Sequence, residues 1–416
     1  MRLLIIGVNY APEKTGIGPY TEGLASYMAT RAHSVEVVTG LPSYPEWRVH
    51  DPFRRVFWRH EERDDVSVHR RWHYVPKSQS ALRRLLYEGT FLLTGASSAF
   101  LTKPDLVLGI TPSLSGGVLS RLVAERFGVP YALILQDLMG LAASQSGMSG
   151  GGRVAQLVTS AEKWVCVRAA AIGIIAEGFR HHLESQGVDP IRIHRVRNWV
   201  RIQEPSVDPC STRTHFGWHD EQIVSLHAGN MGYKQGLDNV LEAARLAQNQ
   251  GSTHQFVLVG DGNQRMVLER RATELNLRNL QFLPLQSEQA FPNLLAAADI
   301  LLLNQRAGVS EMALPSKLTS YLASGRPVVA AVEEDSESAK ELNDSKAGIV
   351  IKPDDPQALV RTLLRLGADA PTRLRLGANG RNHALSVLSA NGALSELEKL
   401  ILGSLKSRIS HDLHPT

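Results

Sequence analysis

Among its 416 residues this chain has only two cysteines, Cys166 and Cys210, and neither lies in a C-x-x-C spacing. That excludes a disulfide framework and a cysteine-based zinc site, and it fits a reducing compartment. No apolar run reaches the roughly 20 residues a spanning helix needs; the longest candidate, 91–110, is broken by Lys103, Pro104 and Asp105. The opening "MRLLIIGVNYAPE" has too short an apolar stretch for a signal sequence and reads as a first strand. The expected location is the cytosol, at most peripheral on the inner face of the cytoplasmic membrane. No D-x-D pair or His/carboxylate cluster supplies a Mg²⁺ site, so neither a metal nor another cofactor is expected. Basic residues number 45 against 41 acidic, a surplus too small to argue for nucleic acid, and no recognised nucleic-acid module accompanies it. Solenoid-period repeats and low-complexity tracts are lacking too.

What is present is the alternation of a parallel α/β protein. A chain of this length exceeds the roughly 250–300 residues at which one core stops growing, so two domains are expected. Short apolar strands at 2–7, 34–40, 105–110, 131–137, 169–177 and 191–200 alternate with helical stretches. After a polar, Pro-containing linker at 203–220 the pattern restarts, with strands at 223–229, 255–262, 280–285, 298–304, 326–332 and 347–351. Two closing helices are expected at 354–367 and 391–409. The division is 1–204, 205–390, and a C-terminal helix and tail, 391–416, packing back on the first domain. Two doubly wound sheets in tandem would face a central cleft and bind ligands beyond the carboxyl ends of their strands.

Five loops after strands carry candidate chemistry. In "NYAPEKTGIGPYTEG", Gly16 and Gly18 precede a helix and would let backbone amides approach an anion or sugar. "LILQDLMG" ends in Asp137, placed to bind a sugar hydroxyl, act as a base or cap a helix. "HAGNMGYKQGLDNV" (227–240) fits neither the P-loop nor the dinucleotide fingerprint, yet sets glycines, Lys234 and a helix start at 237 where an anion would sit. "VGDGNQ" repeats that logic with Gly260 and Asp261, although Asp261 could simply N-cap the next helix. In "GVSEMALPSKLTSYLASG", Ser316 and Lys317 open a helix, where a lysine opposes the dipole unless it holds an anion; Glu311 is the acid just upstream. Two helix starts with one lysine each suit a diphosphate.

In this order the motifs "PEKTGIGPYTEGLA", "RVRNWV", "AGNMGYKQGLDNVLEAA", "LVGDG", "LPLQSEQAFPNLLAAADILLL" and "LPSKLTSYLASGRPVVA" resemble the retaining family 4 glycosyltransferases of GT-B fold. The "GNMGYKQG" and "LPSKL" variants are most similar to bacterial exopolysaccharide enzymes of the colanic-acid type. The resemblance implies a nucleotide-sugar donor such as GDP-fucose and a lipid-linked saccharide acceptor. It also implies that the Gly16–Gly18 loop faces the donor, that Asn230 and Lys234 follow the diphosphate, and that Pro284 and Leu285 meet the base by their backbone. The 311–318 segment, with Glu311, Ser316, Lys317 and Leu318, would hold sugar and ribose. Asn230 stands where the family pattern has Arg, Lys234 is one place early, Glu311 is one place off the first of two glutamates, and Ser320 replaces the second. A sugar-nucleotide 2-epimerase and a non-catalytic sugar-nucleotide binder are the alternatives.

Residues 46–86 carry ten Lys/Arg against six Asp/Glu, interleaved with Trp47, Phe53, Phe57, Trp58 and Trp72. With the amphipathic stretch 80–93 they would suit an anionic membrane surface; inward-packed aromatics under a solvated basic face are the alternative.

Overall fold

The computed structural model describes residues 1–14, 16–76, 80–138, 151–201, 203–309 and 315–412. The chain divides into two compact units, Met1–Asn198 together with Ala393–Thr416, and Trp199–Gly392. The changeover falls ahead of the expected 204/205 boundary. Among the described residues no helix is long and apolar enough to cross a membrane.

The first unit is built on an eight-stranded sheet of β1 (Arg2–Ile6), β2 (Ser34–Gly40), β3 (Trp58–Arg63), β4 (Val66–Arg71), β5 (Leu106–Ile110), β6 (Tyr131–Leu135), β7 (Ala171–Ile174) and β8 (Ile193–Arg195). Its order is β3-β4-β2-β1-β5-β6-β7-β8. All neighbours are parallel except β3 and β4, which form an antiparallel hairpin. The apolar runs 2–7, 105–110 and 131–137 form central strands with both faces covered, which is why they lack polar alternation. The hairpin was not expected, because its first strand, "WRHEER", is an exposed edge strand with no apolar face. Its turn residues Asp64 and Asp65 both take positive φ, 50° and 59°, as a primed two-residue hairpin turn requires.

The second unit holds six strands, β9 (Val224–Ala228), β10 (Gln255–Val259), β11 (Leu280–Leu283), β12 (Ile300–Asn304), β13 (Val328–Ala331) and β14 (Gly348–Ile351). They are all parallel, in the order β11-β10-β9-β12-β13-β14. Counted within the unit this is the 3-2-1-4-5-6 order of a dinucleotide-binding sheet, with its switch point between β9 and β12. Alternate residues of each strand feed two core layers. Val224, Leu226 and Ala228 meet Val257, Leu301, Leu318 and Tyr321 on one face. Phe256, Leu258, Ile300 and Leu302 meet Val240, Leu241 and Leu363 on the other.

Two helix expectations need correction. The polar segment 203–220 is not a plain linker but contains the helix Pro209–Phe216. Asp208 caps it by accepting the Ser211 amide at 3.2 Å, Pro209 occupies its first turn, and Gly217 closes it in the left-handed conformation. The second half also closes with three helices rather than two: Pro356–Ala368, Ala370–Ser386 and Ala390–Asp412. Glycines within the middle one hid it from a propensity reading. They are needed because it packs closely on the helix Ser316–Ala323: a Cβ at Gly377 would stand 2.1 Å from the Gly325 carbonyl oxygen. In the last helix, Glu398 accepts hydrogen bonds from the Tyr27 hydroxyl at 3.1 Å and Arg31 Nε at 3.2 Å, tying it to the first helix, Gly18–Thr30.

Candidate functional site

At the carboxyl ends of β9 and β10 the two glycine turns interlock through their backbones. The Gly229 amide donates to the Val259 carbonyl at 2.9 Å, Met231 to Asp261 at 2.8 Å, and Gln264 back to Met231 at 2.9 Å. Gly260 is confined by this arrangement: at φ +131° a Cβ there would lie 2.0 Å from the Gly229 carbonyl oxygen. Asn230 is exposed and reaches over the second turn. Asp261 does not cap a helix; its carboxylate accepts the amide of the next residue, Gly262, at 2.7 Å. The following helix, Arg265–Glu274, starts from Gln264 with no side-chain cap.

The chain then passes through a short 3₁₀ turn, Tyr233–Gln235, before the helix Asp238–Asn249. Lys234 therefore sits in the 3₁₀ turn, exposed, and not in the first turn of the α-helix. The amides expected to be free at that helix start are largely used internally. Asn239 donates to Gly236 at 3.0 Å, and Val240 and Leu241 share the Leu237 carbonyl at 3.0 and 3.1 Å. Two residues that the sequence reading missed shape this bend. Asn304, buried at the end of β12, donates to the Gln235 and Gly236 carbonyls at 2.7 and 2.8 Å and accepts from Asn239 Nδ2 at 2.8 Å. Arg306 places its guanidinium 4.2 Å over the Tyr233 ring and pairs with Asp238 at 3.1 Å, while its amide donates to the Lys234 carbonyl at 3.0 Å.

Lys317 enters this region from the helix Ser316–Ala323. Its ammonium donates to Gln235 Oε1 and stands beside Gly229, 3.6 Å from where a Cβ would be. One turn along the same helix, the Tyr321 hydroxyl accepts from the Ala228 amide at 2.8 Å and donates to the Ala228 carbonyl at 3.2 Å. That double bond to the last residue of β9 fixes the helix against the turn. Burial pushes the Tyr321 phenol well above its ordinary range, so it stays protonated and able to donate. His227, wholly buried on β9 with Nδ1 3.2 Å from the Leu302 carbonyl, is held well below the usual histidine pKa by burial first and by the Lys317 charge second. Ser316 is exposed, Leu318 is core, and Ser320 Oγ turns back to the Ser316 carbonyl at 3.4 Å. Glu311 lies outside the described residues. At the end of β11, Pro284 and Leu285 are exposed, and Arg265 ties that strand end to its neighbour by donating to the Gly260 and Leu283 carbonyls.

In the first unit Gly16 is exposed at φ +68°, and a Cβ there would come within 2.9 Å of the Tyr44 ring. Gly18 begins the helix Gly18–Thr30. Glu13, which the sequence reading did not single out, is buried and locks the loop. It accepts from the Ser43 and Tyr44 amides at 2.9 and 3.0 Å and from Asn9 Nδ2 at 2.9 Å. Burial raises its pKa against the opposing effect of those donors. Asp137, half-buried after β6, accepts the Leu138 amide at 2.8 Å. Beside it, Gln136 and Asn198 exchange hydrogen bonds at 3.0 and 2.8 Å. Among the described residues no three His, Cys, Asp or Glu side chains converge so as to hold a metal ion.

Comparison with known proteins bears on the whole chain. Residues 211–383 match the family Glycosyl transferases group 1, and residues 15–199 match the Glycosyl transferase 4-like domain. Over 375 residues the chain is 34% identical to the Escherichia coli (strain K12) protein named as colanic acid biosynthesis glycosyl transferase WcaI, covering 86% of this chain and 90% of that protein. Among solved structures, sucrose-phosphate synthase from Thermosynechococcus elongatus matches with a TM-score of 0.73 at 17% identity, over 96% of this chain and 98% of that one. WaaG, described as a glycosyltransferase involved in lipopolysaccharide biosynthesis, matches with a TM-score of 0.67 at 18% identity, over 97% of this chain and 100% of that one. At those identities the two structures speak to fold alone. With its matched halves, its long-range identity to one relative and two parallel-sheet units, the chain belongs to the group 1 glycosyltransferases, with a glycosyl transferase 4-like first half and the GT-B fold.

Proposed function

We propose that this chain moves a hexose from a nucleotide-sugar, GDP-fucose foremost, to a lipid-linked oligosaccharide acceptor in bacterial exopolysaccharide assembly, retaining the anomeric configuration. The observation that carries the reading is the placement of Lys317 beside Gly229, on a helix that Tyr321 fastens to the last residue of β9. A cation fixed beside a glycine turn at the switch point of a parallel sheet is suited to a diphosphate. The relative's naming for colanic acid biosynthesis supports the polysaccharide role.

In this reading the second unit binds the nucleotide-sugar. Lys234 and Lys317 neutralise its diphosphate in place of a metal, and Asn230 donates to it. Gly260 and Asp261 shape the adjoining turn, the backbone of Pro284 and Leu285 meets the base, and Glu311, Ser316 and Leu318 contribute to the sugar and ribose pocket. The first unit binds the acceptor, with Gly16 and Gly18 letting the backbone approach the donor and Asp137 positioning a hydroxyl. The bond from the sugar C1 to the phosphate oxygen breaks while the acceptor oxygen bonds C1 on the same face. The acceptor proton passes to the departing diphosphate, whose charge the two lysines stabilise. A lipid-linked acceptor would place the protein peripherally at the inner face of the cytoplasmic membrane.

A screen of GDP-, UDP- and dTDP-sugars for binding, followed by transfer to a lipid-diphosphate saccharide, tests the proposal. Transfer from one donor class is expected. Donor binding without transfer or hydrolysis would leave a binding protein, and recovery of epimerised donor would make it an epimerase.

A further inference from the structure

A lysine ammonium is a point charge on a flexible four-carbon stem, so its position depends on what holds its end. Lys317 is half-buried near the start of the helix Ser316–Ala323, and its Nζ donates to Gln235 Oε1. Both backbone groups of Gln235 are fixed in turn. Its amide donates to the Gly232 carbonyl at 3.0 Å, and its carbonyl accepts from Asn304 Nδ2 at 2.7 Å. The same Asn304 nitrogen donates to the Gly236 carbonyl at 2.8 Å. Gly236 follows at φ +55°, where a Cβ would lie 3.1 Å from the Arg306 backbone. The direction in which the Gln235 side chain leaves this braced turn is therefore set. Its amide oxygen fastens the end of Lys317 beside Gly229, with Nζ 3.6 Å from where a Cβ would be.

The kind of acceptor at 235 decides what the ammonium can still do. A carboxylate would orient it equally well but would take up its charge in an ion pair. A primary amide accepts through one carbonyl oxygen and takes none of that charge. An ammonium has three donors, and Gln235 occupies one of them. Gly229 complements this: a side chain there would lie against the last two atoms of Lys317, Cε at 3.5 Å and Nζ at 3.6 Å from its Cβ.

We infer that Gln235 is a positioning residue, holding the Lys317 ammonium at the Gly229 turn without neutralising it, so that a charged lysine meets a nucleoside diphosphate. The inference rests on the donor reading above. It adds the requirement that residue 235 be both a hydrogen-bond acceptor and uncharged.

GDP, UDP and dTDP are titrated into the full chain, and into Gln235→Glu, Gln235→Ala and Lys317→Ala, with circular dichroism and the unfolding midpoint followed for each. Gln235→Glu should lower diphosphate affinity at least about tenfold with its midpoint unchanged or raised. Its carboxylate keeps the bond to Lys317 but cancels the charge and repels phosphate. Gln235→Ala, which frees the ammonium without opposing it, should lose about three- to tenfold. A residue that merely braced the turn would tolerate Glu, since the bond survives. Gln235→Glu binding as tightly as wild type therefore overturns the assignment, and so does Gln235→Ala with unaltered affinity. Loss of affinity in Lys317→Ala alone, with both Gln235 variants normal, fails this inference and leaves the donor reading standing. A wild-type chain that binds none of the three diphosphates, or Lys317→Ala that binds them normally, fails both.

Discussion

Replacing Tyr321 by Phe removes one oxygen atom and should loosen both the second unit and its grip on donor. The ring remains in its core layer, so no cavity opens. What is lost is a hydroxyl that accepts the Ala228 amide at 2.8 Å and donates to the Ala228 carbonyl at 3.2 Å. Tyr321 and Ala228 are 0% and 2% exposed, so water cannot take its place. A buried donor left without a partner costs about 1–3 kcal/mol. For a unit of this size each kcal/mol shifts the midpoint by about 2–4 °C, so a fall of roughly 5 °C is expected. Lys317 lies one turn earlier on the same helix, and freeing that helix should weaken donor binding about three- to tenfold as its ammonium leaves its set position. Calorimetry of the unfolding transition and a donor titration read the two effects. A variant within about 1 °C of wild type, with unaltered donor affinity, would refute the idea that Tyr321 holds this site together.

Three further outcomes follow from the same geometry. Lys317→Ala should weaken donor binding at least about tenfold, or roughly 1.4 kcal/mol; an unchanged titration would mean that the lysine serves only its bond to Gln235 and not the donor. Gly260→Ala, whose Cβ would meet the Gly229 carbonyl oxygen at 2.0 Å with φ at +131°, should cost more than about 3 kcal/mol in denaturant unfolding, and wild-type stability would contradict the described turn. His254, whose ring nitrogen is 2.6 Å from Ser225 Oγ, is lowered by burial to a pKa of about 4. Its folded pKa lies below the unfolded value near 6.5, so the unfolded chain binds the extra proton, and the stability it contributes is complete above about 6.5 and lost as pH falls toward 4. His73 acts in the same direction in the first unit, also with a pKa lowered by burial to about 4. Each buried histidine adds a slope of about 1.4 kcal/mol per pH unit across that window. His254→Gln should flatten the slope for the second unit; an identical pH profile would show that the ring is not kept neutral by burial.

Legibility in the sequence followed how locally each feature is determined. The central strands announce themselves because a strand covered on both faces must be a continuous apolar run, as "RLLII" and "ILLLN" are. The hairpin of β3 and β4 was not legible because its outer strand is nearly all charged and has no apolar face to show. The helix Ala370–Ser386 was hidden because Gly377 is set by the backbone at Gly325, just past the end of the helix Ser316–Ala323, rather than by local propensity. In the site, Lys234, Lys317 and the glycines stood out by type and spacing. Tyr321, Asn304, Arg306 and Glu13 did not, since their partners lie far away in sequence: 93 residues for Tyr321, 68 and 69 for the Asn304 donations, 30 and 31 for Glu13. The helix-start amides were misjudged for a related reason. Gly236, in the left-handed conformation, lets the chain satisfy those amides within the bend, a feature of backbone path that composition does not reveal.

The most direct measurement is the anomeric configuration of the product. The protein is given the nucleotide-sugar it binds best and a lipid-diphosphate saccharide, and the new glycosidic bond is read from its proton coupling by nuclear magnetic resonance. The account predicts a transferred sugar with the donor's configuration retained, at a rate that falls sharply in Lys317→Ala. An inverted linkage, or bound donor with neither transfer nor hydrolysis, would contradict it.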